Sequence, residues 1–162
     1  MNKFTVPDIC DEHGENIKIC DLFLNSYGKN DKFFGQVETA RCEHSNSIVK
    51  ELVAQNGSNK VLVIQHTGYE KCSMVGDQIA QMAFDNQWKG IITNGYIRDI
   101  EVIKDIPIGV YAKNTYPKKT DKSVGKGEIG LTLEFQNFIV QKDSWAYVDT
   151  NGIIFSEKEL EF

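Results

Sequence analysis

The sequence predicts a mixed α+β domain, with a central β-α-β unit and antiparallel strands around it. Two short continuous apolar runs, residues 60–65 (KVLVIQ) and 90–97, flank a helical pattern over residues 75–88. Runs of this kind read as strands buried on both faces. A strand, a helix and a second strand in this order make a right-handed crossover with parallel pairing. Beyond Ile106 the pattern changes to short alternating runs separated by turn residues, as antiparallel strands require. Helix and strand do not go on alternating, so a repeating doubly wound sheet is not expected.

The elements follow in order. Thr5 is an N-cap candidate and Pro7 falls in the first turn of a short helix that starts the segment 6–20. Residues 34–42 (FGQVETARC) alternate as a strand. Residues 46–56 place Ile48, Val49, Leu52 and Val53 on one helical face, and Gly57 is the expected left-handed cap. The strand 60–65 runs into a loop, His66 to Tyr69. In the helix 75–88, Val75, Ile79, Met82 and Ala83 share a face, and the strand 90–97 follows. Residues 106–112 form a strand, 129–140 a hairpin and 145–148 another strand. A turn at 149–152 leads to a last strand at 153–155, and the tail SEKELEF forms a short helix or a frayed end.

A chain of 162 residues fits a single domain, residues 1–162, and one this size buries enough surface for a core without staples. The formal net charge of −5 argues against direct nucleic-acid binding, which needs clustered Lys and Arg, and against an anionic membrane surface. Cys10, Cys20, Cys42 and Cys72 make no C-x-x-C pair and have no histidine at zinc-finger spacing, so they read as reduced packing residues. The N-terminus lacks an apolar run of signal-peptide length. No stretch approaches the roughly 18 apolar residues of a membrane span. A cytoplasmic protein is expected.

The most informative segment is GDQIAQMAFDNQWKGIITNGYIRD, from Gly76-Asp77 to Arg98-Asp99. A helix N-terminus offers unpaired N–H groups to an anion. A carboxylate at a strand end can hold a hard cation, and an arginine beside it can grip a carboxylate or an enolate. Ligands collect beyond the carboxyl ends of parallel strands, where three loops are expected to meet: His66 to Tyr69, Gly76-Asp77 and Arg98-Asp99. Each piece has a plain alternative. Asp77 suits any helix start, Arg98-Asp99 reads equally as one solvated ion pair, and Lys118, Lys119, Lys122 and Lys126 as a solvated loop. Asp143 and Asp149 fall at turns for local reasons. No P-loop and no dinucleotide fingerprint is present.

The chain resembles the RraA-like family almost end to end: in VPDICDEHG, FGQVETARC and KVLVIQ, most specifically in the glycine-to-Arg-Asp segment, then in PKKTDKSVGKGE and WAYVDTNGIIFSEKEL. That family holds regulators of ribonuclease E activity and divalent-metal-dependent class II pyruvate aldolases that cleave 4-hydroxy-4-methyl-2-oxoglutarate. The resemblance implies a swivelling-domain-like α/β/β sandwich and a homotrimer with sites at subunit boundaries. It implies a lyase that forms a pyruvate enolate from a small 2-oxo acid, by aldol cleavage or by decarboxylating oxaloacetate, with Mg²⁺ or Mn²⁺ as cofactor. By position, Gly76, Asp77, Gln78 and Ile79 bind the substrate carboxylate through backbone N–H groups. Arg98 holds the keto or enolate oxygen, Asp99 ligates the metal, and Asp77 positions its water shell. Lys122 lies five residues after Pro117, where family members carry a substrate-contacting lysine.

The alternative implied by the same resemblance is a regulator that binds and inhibits ribonuclease E. Asp99 favours chemistry, because the regulators tend to lack that aspartate. Two departures stand out. QHTGYE replaces a glycine-rich stretch, and the chain ends at Phe162, where longer aldolases continue into an extension that supplies an acidic residue to a neighbouring subunit. An older family label, menaquinone methyltransferase, has no supporting S-adenosylmethionine-binding loop here.

Overall fold

The structure is a computed structural model and describes residues 3–123 and 125–162. Thr5 opens α1 (Val6–His13) by accepting a hydrogen bond from the Asp8 amide through its hydroxyl at 3.2 Å. The helix stops at His13, and residues further along the expected segment form β1 (Ile17–Ile19) instead. β2 (Asn25–Ser26), the long β3 (Phe33–Cys42) and α2 (Ser47–Val53) follow. β4 (Lys60–His66), β5 (Ser73–Val75), α3 (Asp77–Asp85), β6 (Gly90–Thr93) and β7 (Tyr96–Ile97) make the middle of the chain. After α4 (Ile100–Ile103) come β8 (Gly109–Ala112), β9 (Asn114–Thr115), β10 (Glu128–Ile129), β11 (Leu133–Glu134), β12 (Ile139–Val140), β13 (Trp145–Asp149) and β14 (Gly152–Ser156).

β3 is the hinge of the main sheet, whose order is β1-β14-β13-β3-β4-β6-β8-β2, with β10 also on β3. β3, β4, β6 and β8 pair in parallel, whereas β13, β14, β1 and β2 join antiparallel. The expected mixture of a parallel centre and antiparallel surroundings is therefore present. β4 shows why its sequence is apolar throughout. Leu62 and Ile64 face a cluster with Val49, Ala80 and Ala83 of α2 and α3, while Val61 and Val63 face one with Leu133, Phe138 and Val140 around the β11–β12 hairpin. The layers are helix, sheet and hairpin, an α/β/β sandwich. A third cluster seats Phe4, Val6 and Ile9 against Tyr147 and Ile154.

Local packing explains several residue choices. Gly90 and Gly109 are register partners on β6 and β8, and a Cβ at either would stand 2.3 or 2.0 Å from the Phe33 ring. Phe33 lies three residues ahead of the β3–β4 register, which begins at Gln36↔Lys60, so its ring reaches past β4 into that glycine pit.

Four expectations are corrected. Val75 is not helical: it ends β5, and the helix runs only from Asp77 to Asp85. Gln87 then takes a positive φ of 70°, and Trp88 turns inward to donate its indole N–H to the Gln55 carbonyl at 3.0 Å. The run 90–97 is two strands in two sheets. Asn94 breaks it by accepting from the His66 amide and donating to the His66 carbonyl, and β7 pairs with β5 and β9. Gly57 is absent from the positive-φ residues; it is a glycine because a Cβ there would fall 2.2 Å from the Trp88 ring. The tail has no helix. Tyr147 accepts from the Leu160 amide through its hydroxyl oxygen at 2.7 Å, and Phe162 packs edge-on against Phe4, Phe34 and Tyr147. Among the described residues, no helix is long and apolar enough to cross a membrane.

Candidate active site

Gly76 is the N-cap of α3 and carries no capping side chain. The first helical bond runs from the Ala80 amide to the Gly76 carbonyl at 3.1 Å, so the amides of Asp77, Gln78 and Ile79 have no helical acceptor. The Asp77 amide instead donates to Asp99 Oδ2 at 3.3 Å, across 22 residues. Arg98 Nε lies 3.7 Å from the same oxygen, with both side chains partly exposed, and Arg98 Nη1 donates to the Pro117 carbonyl at 3.3 Å. Arg98 and Asp99 follow β7 directly, and β7 lies beside β5, which leads into α3. That pairing joins the two dipeptides singled out in the sequence. Asp99 sits at φ 61°, ψ 37°, the left-handed region, which aspartate tolerates better than most residues.

These groups share a cavity of about 760 Å³. One wall is Gly76, Asp77, Gln78, Ile79 and Met82 of α3 with Arg98 and Asp99; the other is Asn46 and Lys50 with the segment from Lys118 to Ser123. Every residue assigned a site role from the sequence, Lys122 included, borders it. The loop His66 to Tyr69 does not. β5 comes between β4 and α3, so the chain leaves the end of β4 for another sheet before the helix begins. His66 instead lies with Nε2 3.9 Å from Cys72 Sγ, and its pKa is lowered from the usual 6.5, chiefly by burial.

The lysines of the second wall, Lys118, Lys119 and Lys122, are exposed, as the plain alternative of a solvated loop expects, but the backbone that carries them is tied down along its length. The Ser73 amide donates to the Lys118 carbonyl at 2.8 Å and the Asp121 amide to the His44 carbonyl at 2.8 Å. Thr120 donates to Asn46 Oδ1 at 2.8 Å, and Asn46 donates to the Met74 carbonyl at 3.0 Å. Asn46 and Thr120, both buried, escaped the sequence reading because neither belongs to an apolar period or a motif. Only the Asp-x-Ser turn of Asp121, which accepts from the Ser123 amide at 2.9 Å, had a local signal. Lys126 is not part of the wall.

The wall residues carry five cationic side chains, Lys50, Arg98, Lys118, Lys119 and Lys122, against the carboxylates Asp77, Asp99 and Asp121. The cavity is thus cation-rich within a chain of net charge −5, which suits an anionic ligand. As a cation site it offers few protein ligands. Among the described residues no group of three or more His, Cys, Asp or Glu could hold a metal, so the donors do not make a closed zinc site. They fit Mg²⁺ or Mn²⁺, which keep several waters and need only one or two carboxylates. Both contacts made by the Asp99 carboxylate fall on Oδ2, which leaves Oδ1 for such an ion.

The α/β/β sandwich is the fold of the solved RraA proteins. This chain belongs to the RraA-like family: the family model, described as Aldolase/RraA, matches residues 6–155. A relative from Vibrio vulnificus (strain YJ016), named “Putative 4-hydroxy-4-methyl-2-oxoglutarate aldolase”, is 39% identical over 99% of both chains. Among solved structures, one from Geobacillus kaustophilus HTA426, described as S-adenosylmethionine:2-dimethylmenaquinone methyltransferase, superposes with a TM-score of 0.93 at 32% identity over 97% of each chain. The RNA-processing inhibitor RraA from Thermus thermophilis superposes with a TM-score of 0.92 at 26% identity, covering 98% of this chain and 96% of that one.

Proposed function

We propose that this protein is a carbon–carbon lyase of the 4-hydroxy-4-methyl-2-oxoglutarate aldolase or oxaloacetate decarboxylase kind, dependent on Mg²⁺ or Mn²⁺. The observation that supports it most is the meeting of the α3 N-terminus, whose Gln78 and Ile79 amides have no helical acceptor, with Arg98 and Asp99 in one cation-rich cavity. In this reading the amides around Gly76, Asp77, Gln78 and Ile79 receive the carboxylate next to the 2-oxo group. Lys122 contacts the far end of the substrate. Asp99 holds the divalent ion, and Asp77 orients its waters. When bound, the ion polarises the 2-oxo oxygen as a Lewis acid. The C3–C4 bond breaks: oxaloacetate releases CO₂, whereas the hydroxy acid gives its 4-hydroxyl proton to a water and releases a second pyruvate. In both cases the bonding electron pair stays on the carbon beside the 2-oxo group, delocalised onto its oxygen. Arg98 stabilises that enolate charge, and protonation at carbon gives pyruvate. The site is proposed to lie at a subunit boundary of a homotrimer.

Pyruvate release from oxaloacetate and from 4-hydroxy-4-methyl-2-oxoglutarate tests this reading. EDTA, or the substitution Asp99→Asn, is expected to lower the Mg²⁺-dependent rate by about 10²-fold or more. A wild-type rate no higher than background, or one that neither treatment changes, sinks the reading. A second reading, a regulator that binds and inhibits ribonuclease E, rests on the likeness to the Thermus inhibitor. It requires direct binding at micromolar concentration.

A further inference from the structure

Gly76 has no backbone reason to be glycine. Its φ of −117° and ψ of −171° are extended backbone, open to any residue, and Ser, Thr, Asp or Asn would cap α3 better. What a side chain there would meet is Asp99. A Cβ on residue 76 would stand 2.8 Å from Asp99 Oδ2, while its next neighbours, Arg98 Nε and Cγ, lie at an ordinary 3.8 and 3.9 Å. The cap that residue 76 does not supply comes from Asp99, whose Oδ2 accepts from the Asp77 amide. Asp99 does this from a left-handed backbone, a conformation that persists only where the surroundings enforce it.

We infer that Gly76 is a positioning residue for Asp99: the missing side chain is the room in which the Asp99 carboxylate stands to cap α3. This rests on the reading of Asp99 as the cation ligand. With Oδ2 held by the Asp77 amide and Arg98, the carboxylate is presented to an ion in one orientation. Such second-layer contacts orient a ligand and are typically worth about 10–100-fold in metal affinity. Gly76→Ala keeps every backbone N–H of the helix start, so a role confined to those amides predicts no change in cation binding.

Two measurements on the full chain test the inference. The first is a thermal double-mutant cycle without metal. Gly76→Ala is expected to lower Tm in the native background. In the Asp99→Gly background, where the obstructing carboxylate is gone and residue 99 keeps its left-handed backbone, the same change is expected to leave Tm unchanged or raise it. An equal fall in both backgrounds, or a failure of both Gly76→Ala proteins to fold, overturns the inference. Folding of the double variant alone supports it. The second is Mn²⁺ titration followed by electron paramagnetic resonance. Wild type is expected to bind, Asp99→Asn to lose binding, and Gly76→Ala to bind about 10–100-fold more weakly. If wild type and Asp99→Asn behave as expected but Gly76→Ala binds like wild type, the inference alone fails. If wild type binds no Mn²⁺, or Asp99→Asn binds it equally, the cation reading fails and takes this role of Gly76 with it.

Discussion

At the scale of single residues, His66 carries a pH dependence whose sign follows from its burial. Burial lowers its pKa from the usual 6.5, and neighbouring His44 adds to the lowering, against the backbone at Glu43. Below 6.5 the unfolded chain therefore binds the proton more readily than the folded one, and the fold loses stability as pH falls from 6.5 towards the folded pKa. Tm measured from pH 8 to pH 5 should fall for wild type, and His66→Gln should remove part of that fall. Parallel curves for the two proteins would show that His66 contributes nothing. The cysteine expectation also has a physical basis. Cys42, Cys72, Cys10 and Cys20 are free, and burial pushes the Cys42 thiol up to about 12 and the Cys20 thiol up to about 11, so these two are neutral packing groups rather than nucleophiles.

At the scale of elements, the sheet depends on a small pit and the site on a tied strap. Gly109→Ala would drive a methyl into the Phe33 ring, since a Cβ there falls 2.0 Å from a ring carbon. Overpacking of this kind costs about 1–3 kcal/mol, which urea unfolding should register as a lower midpoint. The strap from Pro117 to Ser123 owes its place to long-range partners, above all the buried Thr120–Asn46 bond. Asn46→Ala strands the Thr120 hydroxyl and the Met74 carbonyl, at about 1–3 kcal/mol for an unmet buried group. Because Lys122 rides on the strap, the same substitution is expected to raise KM for an anionic 2-oxo acid more than it lowers kcat. An unchanged KM would detach the strap from substrate binding.

At the scale of the whole molecule, large apolar side chains remain in solvent, with Phe23 97% and Tyr69 88% exposed. The homotrimer proposed from the resemblance would give a solution mass three times the chain's 18.4 kDa. Light scattering measures this directly, and a monomer mass at working concentration would remove the assembly and with it a site shared between subunits.

Much of this was legible in the chain because it is written in local periodicity. The two-sided burial of β4 requires an unbroken apolar run, and KVLVIQ is one. The N-cap of α1 needs a hydroxyl, and Thr5 has it. The pairing of Gly76-Asp77 with Arg98-Asp99 was readable from spacing and resemblance together. By itself the sequence determined the long strands and the helix starts at Thr5 and Gly76, and which charged residues were worth watching, since those follow from side-chain period, capping and turn chemistry; the short strands β1, β2, β5 and β9 carry no such local signal. Only the tertiary structure decided that Val75 and Ile97 leave the main sheet for a second one, that the His66 loop stands apart from the cavity, and that residues 117–123 close its other wall. Those outcomes rest on bonds between positions far apart in sequence, Ser73 to Lys118, Asn46 to Thr120 and Arg98 to Pro117, and no local pattern of apolar and polar residues encodes such partners.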